Sequence, residues 1–133
     1  MAEVVRVQIR SDADIVMVRQ QARALAKELG FPARDLTLIA TALSELARNI
    51  VEYARQGEIL LNQINHEEHR GLAIIARDNG PGIADIERAM QDGYSTGKGL
   101  GMGLPGTRRL MDEFDITSRE GIGTTVRVTK WVN

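Results

Sequence analysis

Hydrophobic and polar positions alternate at the start of the chain. Val5, Val7 and Ile9 interleave with Arg6, Gln8 and Arg10, the period of a half-buried strand. The period then changes to that of a helix. Ile15, Val18, Ala22, Leu25, Ala26 and Leu29 recur three or four apart, after Ser11-Asp12-Ala13-Asp14, a capping box with Asp in the usual Glu place. Gly30 is the expected stop. Pro32 leads to a second predicted helix, Asp35 to Ala54, with the core stripe Leu36, Ile39, Leu43, Leu46, Ala47 and Ile50. Gly57 to Ile64 and Leu72 to Asp78 read as a hairpin around a polar loop, Asn65 to Gly71. A short helix is expected over Asp85 to Met90 and another over Leu104 to Glu113. Strands are expected over Phe114 to Glu120 and Thr124 to Val132, joined by Gly121-Ile122-Gly123. Hairpins require antiparallel pairing, so the prediction is an α/β two-layer sandwich: a mixed, largely antiparallel sheet with helices on one face.

The 133 residues suit a single domain, 1–133, and 43% hydrophobic content can fill its core. Cys is absent, which excludes disulfides and thiolate metal sites. Seventeen basic and 18 acidic residues give a net charge of −1, so no basic field invites nucleic acid or anionic lipid. No apolar run approaches the ~20 residues of a membrane helix, and the N-terminus lacks the pattern of a signal peptide. A cytoplasmic protein is the expectation.

Three clusters carry candidate chemistry. Glu45 and Asn49 stand one turn apart on the second helix, off its core stripe, beside Leu38 and Ala42. An amide oxygen suits Mg²⁺, and a carboxylate can take a proton from a hydroxyl. A solvated helix face also carries such pairs. Asp78-Asn79-Gly80-Pro81-Gly82 ends an apolar strand, where an Asp can accept from an exocyclic amine and glycines admit a flat base. The same five residues make an ordinary Asx turn. Gly93 to Gly103 holds five glycines in eleven residues. Its exposed N–H groups can wrap anionic oxygens ahead of a helix N-terminus, with Lys98 as an added point charge.

That segment lacks the Ser/Thr of a P-loop. Gly101-Met102-Gly103-Leu104-Pro105-Gly106 fits G-x-G-x-x-G, but no apolar strand precedes it, as a dinucleotide fold requires. His66 and His69 lie in the polar loop without a third ligand.

In order and spacing, Glu45/Asn49, then Asp78-x-Gly80-x-Gly82, then the glycine segment, then Gly123-Thr124 resembles the GHKL superfamily of gyrase, heat-shock chaperone, histidine-kinase and mismatch-repair ATP sites. Ser44 to Ile50, Asp78 to Ile83, Gly103 to Gly106 and Arg109 to Phe114 are similar to its stressosome switch kinases. The resemblance implies a serine/threonine kinase using ATP and Mg²⁺. Glu45 would be the general base and Asn49 the metal ligand. Asp78 would read adenine, with Gly80 and Gly82 shaping the pocket and Thr124 approaching the ring. Gly97, Lys98, Gly99, Gly101, Met102 and Gly103 would belong to the lid over the phosphates. The implied acceptors are Ser or Thr residues of STAS-domain stressosome proteins, with a PP2C-type phosphatase or another output downstream. A sister group of anti-sigma factors shares the ATP site and is the alternative. The chain carries no dimerisation helix with a phosphoacceptor His, so its acceptor is expected on another protein.

Overall fold

Alternation from Val4 to Ile9 produces β1 (Val4–Ile9), with Val7 and Ile9 buried, in a computed structural model that describes residues 4–82, 90 and 103–132. Helix α1 (Asp12–Leu29) follows. Its expected capping box does not form, and Asp14 instead holds the residue before the N-cap. The Ser11 side chain makes no cap, while Asp14 Oδ2 accepts from the Arg10 N–H at 2.9 Å. At the other end Gly30, with φ +97°, donates to the Lys27 carbonyl, and Phe31 donates to that of Ala26, both at 3.1 Å. This pair of bonds is the Schellman arrangement, and it needs the left-handed residue that Gly30 supplies.

Helix α2 (Ala33–Asn49) starts two residues earlier than expected, because Pro32, with φ −69°, already sits where a helix can begin. It also ends earlier as a regular helix. Residues Ile50–Ala54 wind into a π turn, and Arg55 leaves it at φ +71°. Every residue of the predicted α2 stripe is buried.

Strands β2 (Gly57–His66) and β3 (His69–Asp78) run further than their apolar cores suggested. The polar stretch expected as a loop is paired, with Asn65 opposite Arg70 and His66 opposite His69. Only Glu67 and Glu68 form the turn, at φ +48° and +73°. Positive φ at both central residues matches the right-handed twist of the flanking strands. Neither residue is the Gly or Asn that would have signalled it.

Helix α3 (Gly103–Leu110) stops before the expected Glu113, where the chain has already joined the sheet: Asp112 N–H donates to the Thr129 carbonyl at 2.9 Å. Strands β4 (Glu113–Arg119) and β5 (Gly123–Trp131) complete the fold. The expected helix at 85–90 and most of the glycine segment lie outside the described residues.

The strand order is β1-β2-β3-β5-β4. The expectation is a mixed, largely antiparallel sheet; every pairing among the described strands is antiparallel, since each of the four is a hairpin or a returning neighbour. One sheet face, carrying Val7, Ile9, Ile59, Leu61, Leu72, Ile74, Val126 and Val128, shares a single core with the buried stripes of α1 and α2. This is the two-layer arrangement. Among the described residues, no helix is long and apolar enough to cross a membrane.

Candidate active site

The register brings five residues into one row across the sheet: Ile9, Gly57, Asp78, Thr124 and Ser118, each opposite the next. The row lies on the helix-facing side, at the end of the sheet where β3 finishes and β5 begins. Side chains on one pleat face recur every second residue, so Asp78 follows Ile74 and Ala76 onto that face.

Asp78 is held in place by the backbone. Its Oδ1 accepts from the Gly80 N–H at 2.9 Å and from the Thr124 N–H at 3.3 Å. The first bond is an Asx turn, the structure that D-N-G allows by itself; the second ties the turn to the next strand. Gly80 lies beneath the π turn: a Cβ there would sit 2.7 Å from Ala54 Cβ. Gly57 meets the same turn, where a Cβ would come within 2.9 Å of Ile50 Cγ2. The wider winding after Asn49 thus brings α2 down onto the Asp78 loop. π turns are frequent at functional sites.

Gly82, at φ +76°, packs so tightly on the β4–β5 turn that a Cβ would collide with the Arg119 carbonyl. The Gly121 N–H donates to the Pro81 carbonyl at 2.7 Å, fastening the same two loops. Gly80 and Gly82 therefore shape the loop through backbone contacts.

Glu45 is buried, with 7% of its surface exposed, although it lies off the predicted core stripe. Both carboxylate oxygens are engaged. Oε2 pairs with Arg48 Nη1 at 3.1 Å, and Oε1 accepts from the Gly103 N–H at 3.2 Å. A carboxylate at the first turn of α3 complements the helix dipole and satisfies an N–H that has no partner within the helix. Glu45 thus links α2 to the start of α3. Each carboxylate oxygen has a second lone-pair site, so the group can still accept from an incoming hydroxyl.

Asn49 ends α2, half-buried, one turn beyond Glu45. Its carboxamide oxygen is a hard neutral donor, and Mg²⁺ held with nucleotide phosphates usually takes only one or two ligands from protein. The donor set therefore fits that ion. Of the predicted lid, Gly103 is described, at φ +68°, at the start of α3. Gly97, Lys98, Gly99, Gly101 and Met102 lie outside the described residues.

Three participants were not anticipated. Arg48 holds Glu45 and was legible in principle, as the i+3 partner of an acid on a helix. Arg19 on α1 reaches Ser44 Oγ at 3.4 Å, beside Glu45. Ser118 Oγ lies 2.8 Å from Thr124 Oγ1, a contact that depends on the β4–β5 register and leaves no local signal.

The histidine kinase-like ATPase domain family matches residues 10–130. The chain is 52% identical over 126 residues to the serine/threonine-protein kinase RsbT of Bacillus subtilis, covering 95% of each chain. It is 33% identical to the anti-sigma F factor of Caldanaerobacter subterraneus subsp. tengcongensis, covering 82% of this chain and 79% of that one. Among solved structures, the catalytic domain of the histidine kinase ThkA shares the fold at a TM-score of 0.55 and 17% identity, over 95% of both chains. The RsbU and RsbW domains of a Mycobacterium tuberculosis protein match 98% of this chain at a TM-score of 0.65 and 19% identity; the chain spans 32% of that longer one. The chain belongs to the histidine kinase-like ATPase family. Within that family it stands with the protein serine/threonine kinases.

Proposed function

We propose that the chain, acting as one domain over residues 1–133, transfers the γ-phosphoryl group of ATP to a Ser or Thr hydroxyl on a STAS-domain protein of a stressosome. The transfer acts as a switch: the modified partner releases the kinase, which then engages a PP2C-type phosphatase or another signalling output in the cytoplasm.

One observation carries the reading. Glu45 is buried and its carboxylate is held from both sides, by Arg48 and by the first N–H of α3. A protein that only sensed nucleotide would not need an oriented carboxylate at the start of α3. Phosphoryl transfer asks a protein mainly for positioning and charge stabilisation, and this site supplies both. Asp78 accepts from the adenine N6 amine. Asn49 would hold a Mg²⁺ ion, which would supply charge neutralisation at the phosphates, and the glycine segment would offer them backbone N–H groups. Glu45 takes the proton as the acceptor oxygen bonds to the γ-phosphorus and the bridging oxygen leaves with ADP.

Glu45→Ala is expected to bind ADP as the parent does and to transfer phosphate ~10²–10⁴-fold more slowly, the usual contribution of a general base. The assay combines Mg-ATP, the protein and a STAS partner encoded beside it, with phosphosites mapped by mass spectrometry. A normal rate from the variant removes Glu45 from its role.

The 33% identical anti-sigma F factor motivates a second reading, a module that sequesters a sigma subunit with ATP as regulator. Affinity capture separates the two: STAS proteins in the eluate support the kinase, and a sigma subunit supports the alternative.

A further inference from the structure

The closed end of the β2–β3 hairpin brings together the two histidines of the chain. His66 stands directly opposite His69 across the antiparallel pair. Side chains so placed project from one face, with Cβ atoms roughly 4.5–5.5 Å apart. Ile59 and Leu61 set the odd-numbered positions of β2 against the helices. His66 and its partner His69 therefore project from the other face, and both residues are exposed. Trp131 joins them there. It pairs with Gly71, and its ring lies over that glycine, where a Cβ would come within 2.7 Å of Trp131 Cε3. The indole is pinned: Nε1–H donates to Glu113 Oε2 at 2.7 Å, and the Trp131 backbone N–H donates to Asp112 Oδ2 at 2.7 Å. The His66 ring centroid is 6.3 Å from that of Trp131. Strands β2 and β5 lie on either side of β3, so the two rings close over the strand that carries His69.

We propose that His66 and His69 form a two-imidazole site for a divalent transition-metal ion of the Cu²⁺, Ni²⁺ and Zn²⁺ class. Imidazole nitrogens suit these ions, and Cu²⁺ binds such a pair most tightly. Among the described residues, no group of three or more His, Cys, Asp or Glu is placed to hold a metal. The chain therefore supplies two ligands and water the rest, which makes the ion exchangeable rather than a structural core. The site is independent of the proposed nucleotide pocket: His69 begins β3 and Asp78 ends it, roughly 30 Å away at strand rise. The ion would act on the hairpin itself. Glu67 and Glu68 turn the chain at positive φ, a conformation unfavourable for residues with a Cβ. A ligand from each strand ties the two ends of that turn, and the adjacent carboxylates favour a cation there. Because the pair is assembled by the strand register, binding favours the folded state.

The test uses the untagged full chain and the metal alone. Trp131 is the one tryptophan in the sequence, and a paramagnetic Cu²⁺ ion beside it quenches its emission. Cu²⁺ is expected to quench saturably, with one ion per chain. Excess Zn²⁺, whose filled d shell does not quench, restores the emission as it displaces Cu²⁺. Without Cu²⁺, Zn²⁺ raises the unfolding midpoint of the wild-type chain. His66→Ala and His69→Ala each lose the saturable quenching and the Zn²⁺ shift. The double variant His66→Ala with Asn65→His keeps two histidines but puts one on the opposite pleat face, and it loses both signals as well. All three substitutions fall at exposed positions, and an unchanged midpoint without metal shows that each variant is folded. Absence of saturable quenching in the wild-type chain overturns the proposal. So does a single variant that still quenches saturably, or a relocated histidine that restores the signal, since the ion is then held elsewhere or by composition rather than by the cross-strand pair.

Discussion

Asp78 is a side chain held in place by the backbone around it, and under the proposed reading that fixes it for recognition before any ligand arrives. Two backbone N–H groups point at Oδ1, so that oxygen is already committed and the carboxylate plane is fixed. In Asp78→Asn the amide oxygen keeps the Oδ1 position, because the two N–H groups accept no donor there. The amide nitrogen then takes the place of Oδ2, the oxygen the proposed site offers to the base. A donor meets the N6 amine, also a donor. ADP binding is expected to weaken by ~1–3 kcal/mol, the penalty for an unpaired polar group. Titration calorimetry gives the number, and an unchanged dissociation constant removes Asp78 as the adenine reader. Asp78 was legible as a residue because D-N-G-P-G is a local pattern. Its second bond, to the Thr124 N–H, was not, since it joins positions far apart in sequence. Ser118 was invisible for the same reason: nothing near it in the chain says that it faces Thr124.

Elements were legible where their signals were local. Gly30 stops α1 through its left-handed φ, and the α2 stripe is buried as its spacing requires. Boundaries failed where tertiary contact overrides local preference. The π turn forms where Ile50 and Ala54 settle on Gly57 and Gly80, and the β2–β3 hairpin zips through a polar stretch with Glu at both turn positions. The two loops that meet beside Asp78 allow this contact term to be measured. Gly82 and Gly121 both sit at positive φ, +76° and +80°. A Cβ on Gly121 would meet nothing within 4 Å, whereas one on Gly82 would strike the Arg119 carbonyl. Gly121→Ala therefore carries the backbone penalty alone, roughly 1–2 kcal/mol. Gly82→Ala adds a clash with main chain that cannot rotate away, and the loop must shift. Urea unfolding should show Gly82→Ala as the more destabilised variant, with weakened ADP binding as well. Equal losses would mean that the 80–82 loop is not clamped against the β4–β5 turn.

At the scale of the molecule, the site is assembled from segments far apart in the chain: the end of α2, the end of β3, the start of α3 and the β4–β5 pair. The sheet order, with β5 inserted between β3 and β4, is what places Thr124 beside Asp78. A nucleotide seated there touches elements from both halves of the chain, so it must stabilise the fold as a unit rather than one loop. Binding to the folded state alone adds about 2.7 kcal/mol when the ligand is at a hundred times its dissociation constant. For a domain of this size that corresponds to an upward shift of about 10 °C in the unfolding midpoint. Mg-ADP should produce the shift in a single cooperative transition, because core and site share α2 and the sheet. NAD at the same concentration should leave the midpoint in place, since no apolar run precedes the G-x-G-x-x-G around Gly103 in the sequence, as a dinucleotide fold requires. The opposite result, protection by NAD and none by Mg-ADP, would mean that the glycines ahead of α3 serve a different ligand from the one proposed for Asp78, Thr124 and Glu45.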